Sequence, residues 1–265
     1  MGPSRTLERL SYKLSPASIN SYYRCPRKFQ FRYIRNVKMP FRFSPALAIG
    51  GVAHKALAEI FRQRRDNVPE QTIESHVDRY IRLERYPQEN GDQLRLEHAP
   101  IVASHVEQAL DLLPSDAIIL EVERPFDFVF INSQLSDPIS IESRVDLVIR
   151  HGDGIVDHID FKTGSQSGDI IQNFVSRVTV ANSLEIGGEK LRTVNVLTKT
   201  GEYQVIPADR KQHANTWELV KDTICRLSVD SEWTPRPEPA ICRWCDFRPI
   251  CKHAGPDTTD DYPAG

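Results

Sequence analysis

Two aspartates and a lysine in the middle of the chain have the types and spacing that metal-assisted chemistry requires. Asp160 and Lys162 are two residues apart, so in a β-strand their side chains project to the same side. Asp146 lies on the polar face of the preceding strand-like run, and a hairpin would bring it beside them. Two carboxylates can bind Mg²⁺ or Mn²⁺, and a nearby lysine can orient a nucleophile or stabilise negative charge.

These residues also have a simpler interpretation. An Asp-x-Lys tripeptide alone is typical of an ordinary surface ion pair, which contributes little. His54 follows Gly50 and Gly51 in an apolar helical stretch, where a neutral imidazole could reach the same metal. A histidine in such a stretch is equally typical of a buried structural residue.

The cysteines suggest a second metal site. Three of them fall within ten residues near the C terminus: Cys242, Cys245 and Cys251. A fourth ligand would complete a tetrahedral zinc site or an iron–sulfur cluster. Cys25 could supply it and so join the two ends of the chain, with His253 as a substitute ligand for zinc. Cys225 lies within a predicted helix and is interpreted as a small buried apolar residue.

The periodicity predicts an α/β order of elements around these residues. Ser15 and Pro16 are typical of a helix start, and an apolar stripe predicts a helix over residues 46–65. Further helices are predicted over four ranges: 71–83, 101–113, 169–184 and 209–227. Strands are predicted over five: 117–130, 139–150, 154–162, 191–198 and 202–206. In residues 139–150 the odd positions are apolar except for Ser143, which predicts one apolar face.

Composition and charge limit the classes of protein. The chain has 265 residues, 40% hydrophobic and 26% charged, as expected for one large or two small globular domains. No run approaches the roughly 20 apolar residues of a membrane span, and residues 1–13 lack a secretory signal. The odd number of cysteines, five, favours metal binding in a reducing, cytoplasmic location.

The net charge of −2 conceals an asymmetry. Residues 1–65 contain 14 Lys and Arg against two acids, a net of +12, and the remainder has a net of −14. A basic, aromatic first quarter suggests a surface for a polyanion such as nucleic acid. The alternative is that these charges are the solvated faces of helices.

In order along the chain, five segments resemble the PD-(D/E)XK nuclease superfamily. The match is greatest to its RecB/AddB-type branch with an iron–sulfur cluster, to which the CRISPR-associated adaptation nucleases are related. The segments are residues 14–29 with the first cysteine, the Gly-x-x-x-His helix of Gly50 and His54, Ser143-Arg144-Val145-Asp146, Ile159-Asp160-Phe161-Lys162-Thr163-Gly164, and the cysteine triplet.

The resemblance implies a restriction-endonuclease-like core, with a central mixed sheet flanked by helices. Residues 1–254 would form one nuclease domain with a helical insertion over about 66–115, followed by a disordered tail at 255–265. Four cysteines would join the N- and C-terminal regions in a metal staple that binds a structural 4Fe–4S cluster, zinc being the alternative: Cys25, Cys242, Cys245 and Cys251.

The resemblance also assigns roles in the active site. His54, Asp146 and Asp160 would bind Mg²⁺ or Mn²⁺, with the backbone carbonyl of Phe161, and Lys162 would be the catalytic lysine. The family's less regular acidic position would be Glu123, and Glu121 is an equal candidate by strand parity.

The chain departs from the family pattern at two places. Ser143 stands where the family usually has glycine. The Gln-x-x-x-Tyr helix motif is incomplete, because Gln172 is followed four residues later by Ser176, so Arg177 is a candidate for a DNA-phosphate contact. The sequence has no Gly-x-x-x-x-Gly-Lys-Ser/Thr loop, so any helicase would be a separate partner.

The expected function is therefore that of a metal-dependent DNA nuclease of the RecB-like exonuclease type, acting on single strands or ends. DNA repair, recombination or CRISPR adaptation would be its setting. One alternative is a catalytically retired nucleic-acid-binding scaffold of a repair complex, against which the intact His54, Asp146, Asp160 and Lys162 argue. Another is a zinc-stapled hydrolase with a non-nucleic substrate.

Overall fold

The computed structural model describes residues 13–135, 137–164, 169–207 and 209–254. The predicted disordered tail at 255–265 lies outside the described residues. The helices are α1 (Pro16–Arg24), α2 (Pro26–Phe29), α3 (Pro45–Arg65), α4 (Ile73–Leu83), α5 (Gly91–Leu112), α6 (Ile170–Ser183), α7 (Arg210–Val229) and α8 (Pro239–Cys242). The strands are β1 (Ile118–Phe130), β2 (Ile139–Arg150), β3 (Val156–Lys162), β4 (Leu191–Leu197) and β5 (Glu202–Ile206). No helix within these ranges is long and apolar enough to cross a membrane.

The N-terminal helices begin and end where the sequence predicts. The Ser15 side chain accepts from the amide of Ser18 and Pro16 occupies the first turn, a capping arrangement that satisfies unpaired amides. Cys25 has extended backbone and separates α1 from α2, which continues into a π-helical turn at Gln30–Ile34. Cys25 is therefore held in a break between helices.

Helices α3, α4 and α5 pack together beside the sheet and share one buried apolar cluster. Helix α5 begins at Gly91, ten residues before the predicted start at 101, so that prediction is wrong. Pro100 lies inside α5 and removes one helical hydrogen bond, but His98 and Val102 on either side are buried. Tertiary packing thus holds a helix that local sequence would end.

The sheet has the order β1-β2-β3-β4-β5. Strands β3 and β4 are parallel and the other neighbours are antiparallel. The predicted α/β fold, with a mixed sheet flanked by helices, is confirmed and fits a restriction-endonuclease-like core. Leu147 pairs with Ile159, so the next position along each strand brings Asp146 of β2 opposite Asp160 of β3.

Strand β2 changes the face it presents at Asp146. Val145 and Val148 belong to the buried cluster that contains Val180 of α6, whereas Leu147 belongs to the cluster of α3. The prediction of one continuous apolar face over 139–150 is therefore wrong. The neighbouring strand β1 is irregular here too, with a register shift between Ile119 and Glu121. Such irregularities re-aim side chains. The Asp146 side chain meets His54 of α3.

A buried network of charged and polar side chains connects β3, β4 and β5. Asp157 of β3 is 0% exposed and accepts both Nε and Nη2 of Arg192, at 2.6 and 2.7 Å. The Tyr203 hydroxyl donates to the same carboxylate, and His151 Nε2 lies 2.7 Å from it. Because breaking a buried pair leaves a charge uncompensated, we expect Asp157 to be a major source of stability.

Asp157→Asn should lower the free energy of unfolding by about 3 kcal/mol at neutral pH. Burial alone would raise the pKa of Asp157, but Arg192, Tyr203 and His151 outweigh it and lower that pKa. The contribution is therefore present above the unfolded value of about 3.9 and is lost as pH falls towards the folded pKa. Denaturant unfolding across this range measures it. Asp222→Asn removes an exposed pair with Arg226 and should cost at most about 1 kcal/mol; equal losses would refute the assignment.

A candidate metal centre at the end of the central strands

Side chains from three elements converge where β2 changes face. His54 of α3, Glu123 of β1 and Asp146 of β2 place one ligand atom each within 4.8 Å of the others. Among the described residues this is the only group of three or more histidine, cysteine and acidic side chains that meets this distance. One imidazole and two carboxylates can bind a divalent cation.

Asp146 is held on both of its oxygens. His54 Nδ1 lies 3.3 Å from Oδ1, and the Phe161 amide donates to Oδ2 at 2.8 Å. The Phe161 ring stacks against Phe61 of α3 and meets the His54 ring edge-on. The strand that carries Asp160 therefore also orients the other aspartate. Metal ligation by the Phe161 carbonyl stays a prediction.

Asp160 and Lys162 form an adjoining pair on β3. Lys162 Nζ lies 2.5 Å from Asp160 Oδ2, and Gln172 of α6 donates to the same oxygen at 3.0 Å. Asp160 is not part of the group of three, but it lies beside Asp146 closely enough that each changes the other's pKa. The structure thus brings together all four of the residues predicted for the active site and, of the two candidate glutamates, places Glu123 with them.

The charges of the centre are crowded. Burial, with the neighbouring Asp146 carboxylate, raises the pKa of Asp160 to about 7 despite Lys162. Burial and Asp146 also raise the pKa of Glu123. Burial opposes a charged His54, but Asp146, Asp160 and Glu123 outweigh it and raise the pKa of that imidazole to about 9. Burial would raise the pKa of Asp146 too, but His54 outweighs it and lowers that pKa, so the Asp146 carboxylate is the charge that disfavours ionisation of Asp160 and Glu123. A divalent cation would offset this repulsion.

Glu123 occupies an unusual backbone conformation. Its φ is +49°, in the left-handed region that non-glycine residues rarely adopt, and its carbonyl accepts from Arg144 at 2.9 Å. Glu121, the equal candidate from strand parity, forms an ion pair with Arg124 instead. Parity could not separate the two glutamates, because residues two positions apart in a strand share a face.

Thr198 and His105, which the sequence did not single out, help to fix the end of β3. Thr198 donates from Oγ1 to the Lys162 carbonyl at 3.1 Å and lies 2.8 Å from Nδ1 of His105 in α5. Gly50 of α3 approaches the same strand end, since a Cβ there would lie 3.0 Å from Thr163 Oγ1. These contacts connect residues about 90 positions apart, and no local pattern indicates them.

Arg177 lies inside the protein. It is 7% exposed, and its Nη2 donates to the Gly188 carbonyl at 2.5 Å. Gln172, one turn earlier on α6, faces Asp160. The predicted DNA-phosphate contact by Arg177 stays a prediction.

The four cysteines of the predicted staple line one small cavity of about 20 Å³, together with the cationic side chains of Arg27 and Lys28 and with His253. All five cysteines of the chain have free thiols, and Cys225 does not line this cavity. The break at Cys25 between α1 and α2 thus faces the C-terminal segment.

With this geometry the chain can be compared with known proteins. The model of the PD-(D/E)XK nuclease superfamily matches residues 13–252, and the chain belongs to that superfamily. No curated protein matches it at a significant level. The crystal structure of SSO0001 is similar at 16% identity over 94% of this chain and 92% of that one, with a TM-score of 0.42.

Proposed function

We propose that the protein is a metal-dependent DNA nuclease of the RecB-like type, acting on single strands or ends. The observation that carries the proposal is the convergence of His54, Glu123 and Asp146 within 4.8 Å, beside the Asp160–Lys162 pair. Superfamily membership supports hydrolysis of phosphodiester bonds. Purified protein should cleave end-labelled DNA with Mn²⁺ or Mg²⁺ and not with a chelator; an inert protein at all metal concentrations would contradict the proposal.

Each residue has a role that its contacts support. His54, Glu123, Asp146 and Asp160 would hold the cation, which lowers the pKa of bound water and offsets charge on the phosphate. The Phe161 amide orients Asp146, and Gln172 orients Asp160. Lys162, held by Asp160, places a positive charge where the attacking water and the phosphate oxygens would meet.

Lys162→Met should separate binding from chemistry. The substitution keeps the length of the side chain but removes its charge, so Mn²⁺ and DNA affinity should persist while single-turnover cleavage falls by about 100-fold or more. Lys221→Met, which removes a lysine paired with Glu218 on α7, is the control and should cleave normally. Loss of DNA affinity with an unchanged rate of cleavage would make Lys162 a phosphate contact instead.

The basic N-terminal quarter is the proposed DNA surface. Some of its charges are already paired, since Arg24 lies 3.2 Å from Asp169 and Arg32 contacts Asp246. Affinity for single-stranded DNA should fall with rising salt with a log–log slope of about −0.7 per phosphate contact. Arg27→Gln and Lys28→Gln should each make that slope less steep. An affinity that does not depend on salt would show that these residues lie on solvated helix faces and do not contact phosphates.

The cavity shared by the four cysteines supports a metal staple between the two ends of the chain. Thiolates bind both zinc and iron–sulfur clusters, so the cavity alone does not select the metal. On the resemblance to the iron–sulfur branch of the superfamily, we propose a structural 4Fe–4S cluster at Cys25, Cys242, Cys245 and Cys251, with zinc as the alternative. A helicase partner and a cytoplasmic location stay predictions.

A further inference from the structure

Besides the cysteine cavity, a cavity with polar side chains lies on the α6 side of the sheet, between α6, α7 and β4. Its volume is about 280 Å³. The inner part is formed by Arg177, Thr193 and Thr216, all less than 10% exposed, and Gln212 at the rim is exposed. The cavity is separate from the cysteine cavity and from the His54–Glu123–Asp146 group, because none of their residues line it.

Arg177 is the feature that needs a ligand. Burial lowers the pKa of its guanidinium, and no described carboxylate acts on it in the opposite direction. The Gly188 carbonyl accepts one of its hydrogen bonds. Buried charges are normally paired, since an uncompensated one is costly. Among the described residues, no aspartate or glutamate lines the cavity either.

A second polar group supports the same conclusion independently. Thr193 Oγ1 is buried, with the residue 3% exposed, and has no hydrogen-bond partner in the described structure. Thr193 and Arg177 line the same cavity, so a hydroxyl donor and a guanidinium are both available to one ligand. The ring of Phe174 lies edge-on to the imidazole of His213 and gives the same cavity an apolar side.

We propose that this cavity binds the terminal phosphate group of a nucleotide, either free or at the end of a nucleic-acid strand. Several oxygens on one phosphate match the donors of Arg177, Thr193 and Gln212. Thr193 pairs with His158, two residues before Asp160, so the cavity lies roughly 7 Å along β3 from that aspartate. The choice of a nucleotide as the source of the phosphate rests on the proposed nuclease function. The binding of a phosphate anion by this cavity does not depend on that function.

The test measures phosphate binding in the presence of a chelator, so that no metal-dependent step contributes. Inorganic phosphate should raise the melting temperature of the wild-type protein, by an amount that grows with the logarithm of its concentration above Kd, and calorimetry should show saturable binding. Arg177→Met should weaken that binding at least about tenfold, and Thr193→Val about fivefold, because each removes a hydrogen bond to the anion. Arg226→Met, on the exposed face of α7, should bind as the wild type does. A merely structural Arg177 would leave the phosphate response of the folded variant unchanged.

Two further probes identify the source of the phosphate. A 5′-phosphorylated oligonucleotide that binds more tightly than its 5′-hydroxyl counterpart supports a strand end, and a deoxynucleoside monophosphate that binds alone supports a free nucleotide. No phosphate-dependent shift in the wild type, or the same shift in Arg177→Met, overturns the proposal. If Arg177→Met does not fold, Thr193→Val and calorimetry on the wild type decide. Phosphate binding without DNA cleavage would refute the nuclease and leave this cavity standing.

Discussion

Asp160→Asn should abolish DNA cleavage while leaving the protein at least as stable as the wild type. Loss of an outer contact to a metal ligand typically costs 10- to 100-fold, so loss of a carboxylate that holds the cation should exceed about 100-fold. Asparagine keeps the shape and can still accept from Gln172. A single-turnover assay with Mn²⁺ and thermal unfolding with a chelator measure the two effects.

The stability part of this prediction has a definite sign. The pKa of Asp160 is raised to about 7 in the folded protein, by burial first and then by Asp146. A carboxyl group whose folded pKa exceeds its unfolded value of about 3.9 destabilises the protein as pH rises between the two values. Without metal, the advantage of Asp160→Asn should therefore grow from pH 4 to pH 7. Wild-type cleavage by this variant would refute the assignment of Asp160.

Cys25→Ser should cause the largest loss of stability. Cys25 and Cys242 are 217 positions apart, and a cluster that binds only the folded chain adds its binding free energy to the free energy of unfolding. Wild-type protein purified without oxygen should be brown and contain iron and acid-labile sulfide. The variant should lose the colour, the iron and much of its thermal stability together, because the thiolates converge only in the folded state.

Cys225→Ser is the matched control for the staple. Cys225 lies on α7, is half-buried and does not line the cysteine cavity, so its replacement should leave iron content and melting temperature unchanged. If the wild-type protein is colourless and contains one zinc per chain, the four cysteines bind zinc in place of an iron–sulfur cluster, and the staple itself stands. Full metal content and stability in Cys25→Ser would contradict the staple itself.

The sequence predicted those features that depend on local pattern. The apolar stripe of α3, the strands that carry Asp146 and Asp160, and the pairing of Asp160 with Lys162 all follow from periodicity. The choice of Glu123 over Glu121 does not, because the two share strand parity and only the packed structure brings Glu123 beside His54 and Asp146. Local pattern therefore located the centre and left one of its ligands open.

Other features depend on contacts between distant parts of the chain. The Asp157 network draws on Arg192 and Tyr203, which lie on β4 and β5. Gln172 and Arg177 lie on the same helix, α6. Gln172 faces the metal centre, whereas Arg177, five residues later, faces a cavity lined by α7 and β4. The Arg177 cavity forms only after three separate elements have packed. A helical pattern alone does not predict a buried charge there that no carboxylate of the described residues pairs.

The central claim is that the group of His54, Glu123 and Asp146 binds one divalent cation that cleavage requires. A Mn²⁺ titration that follows bound ion and cleavage of end-labelled single-stranded DNA in the same samples tests it most directly. We expect one saturable site in the wild type, cleavage that rises with its occupancy, and loss of both in Asp146→Asn. Cleavage that persists in a chelator, or a variant that loses the site but still cleaves DNA, would contradict the claim.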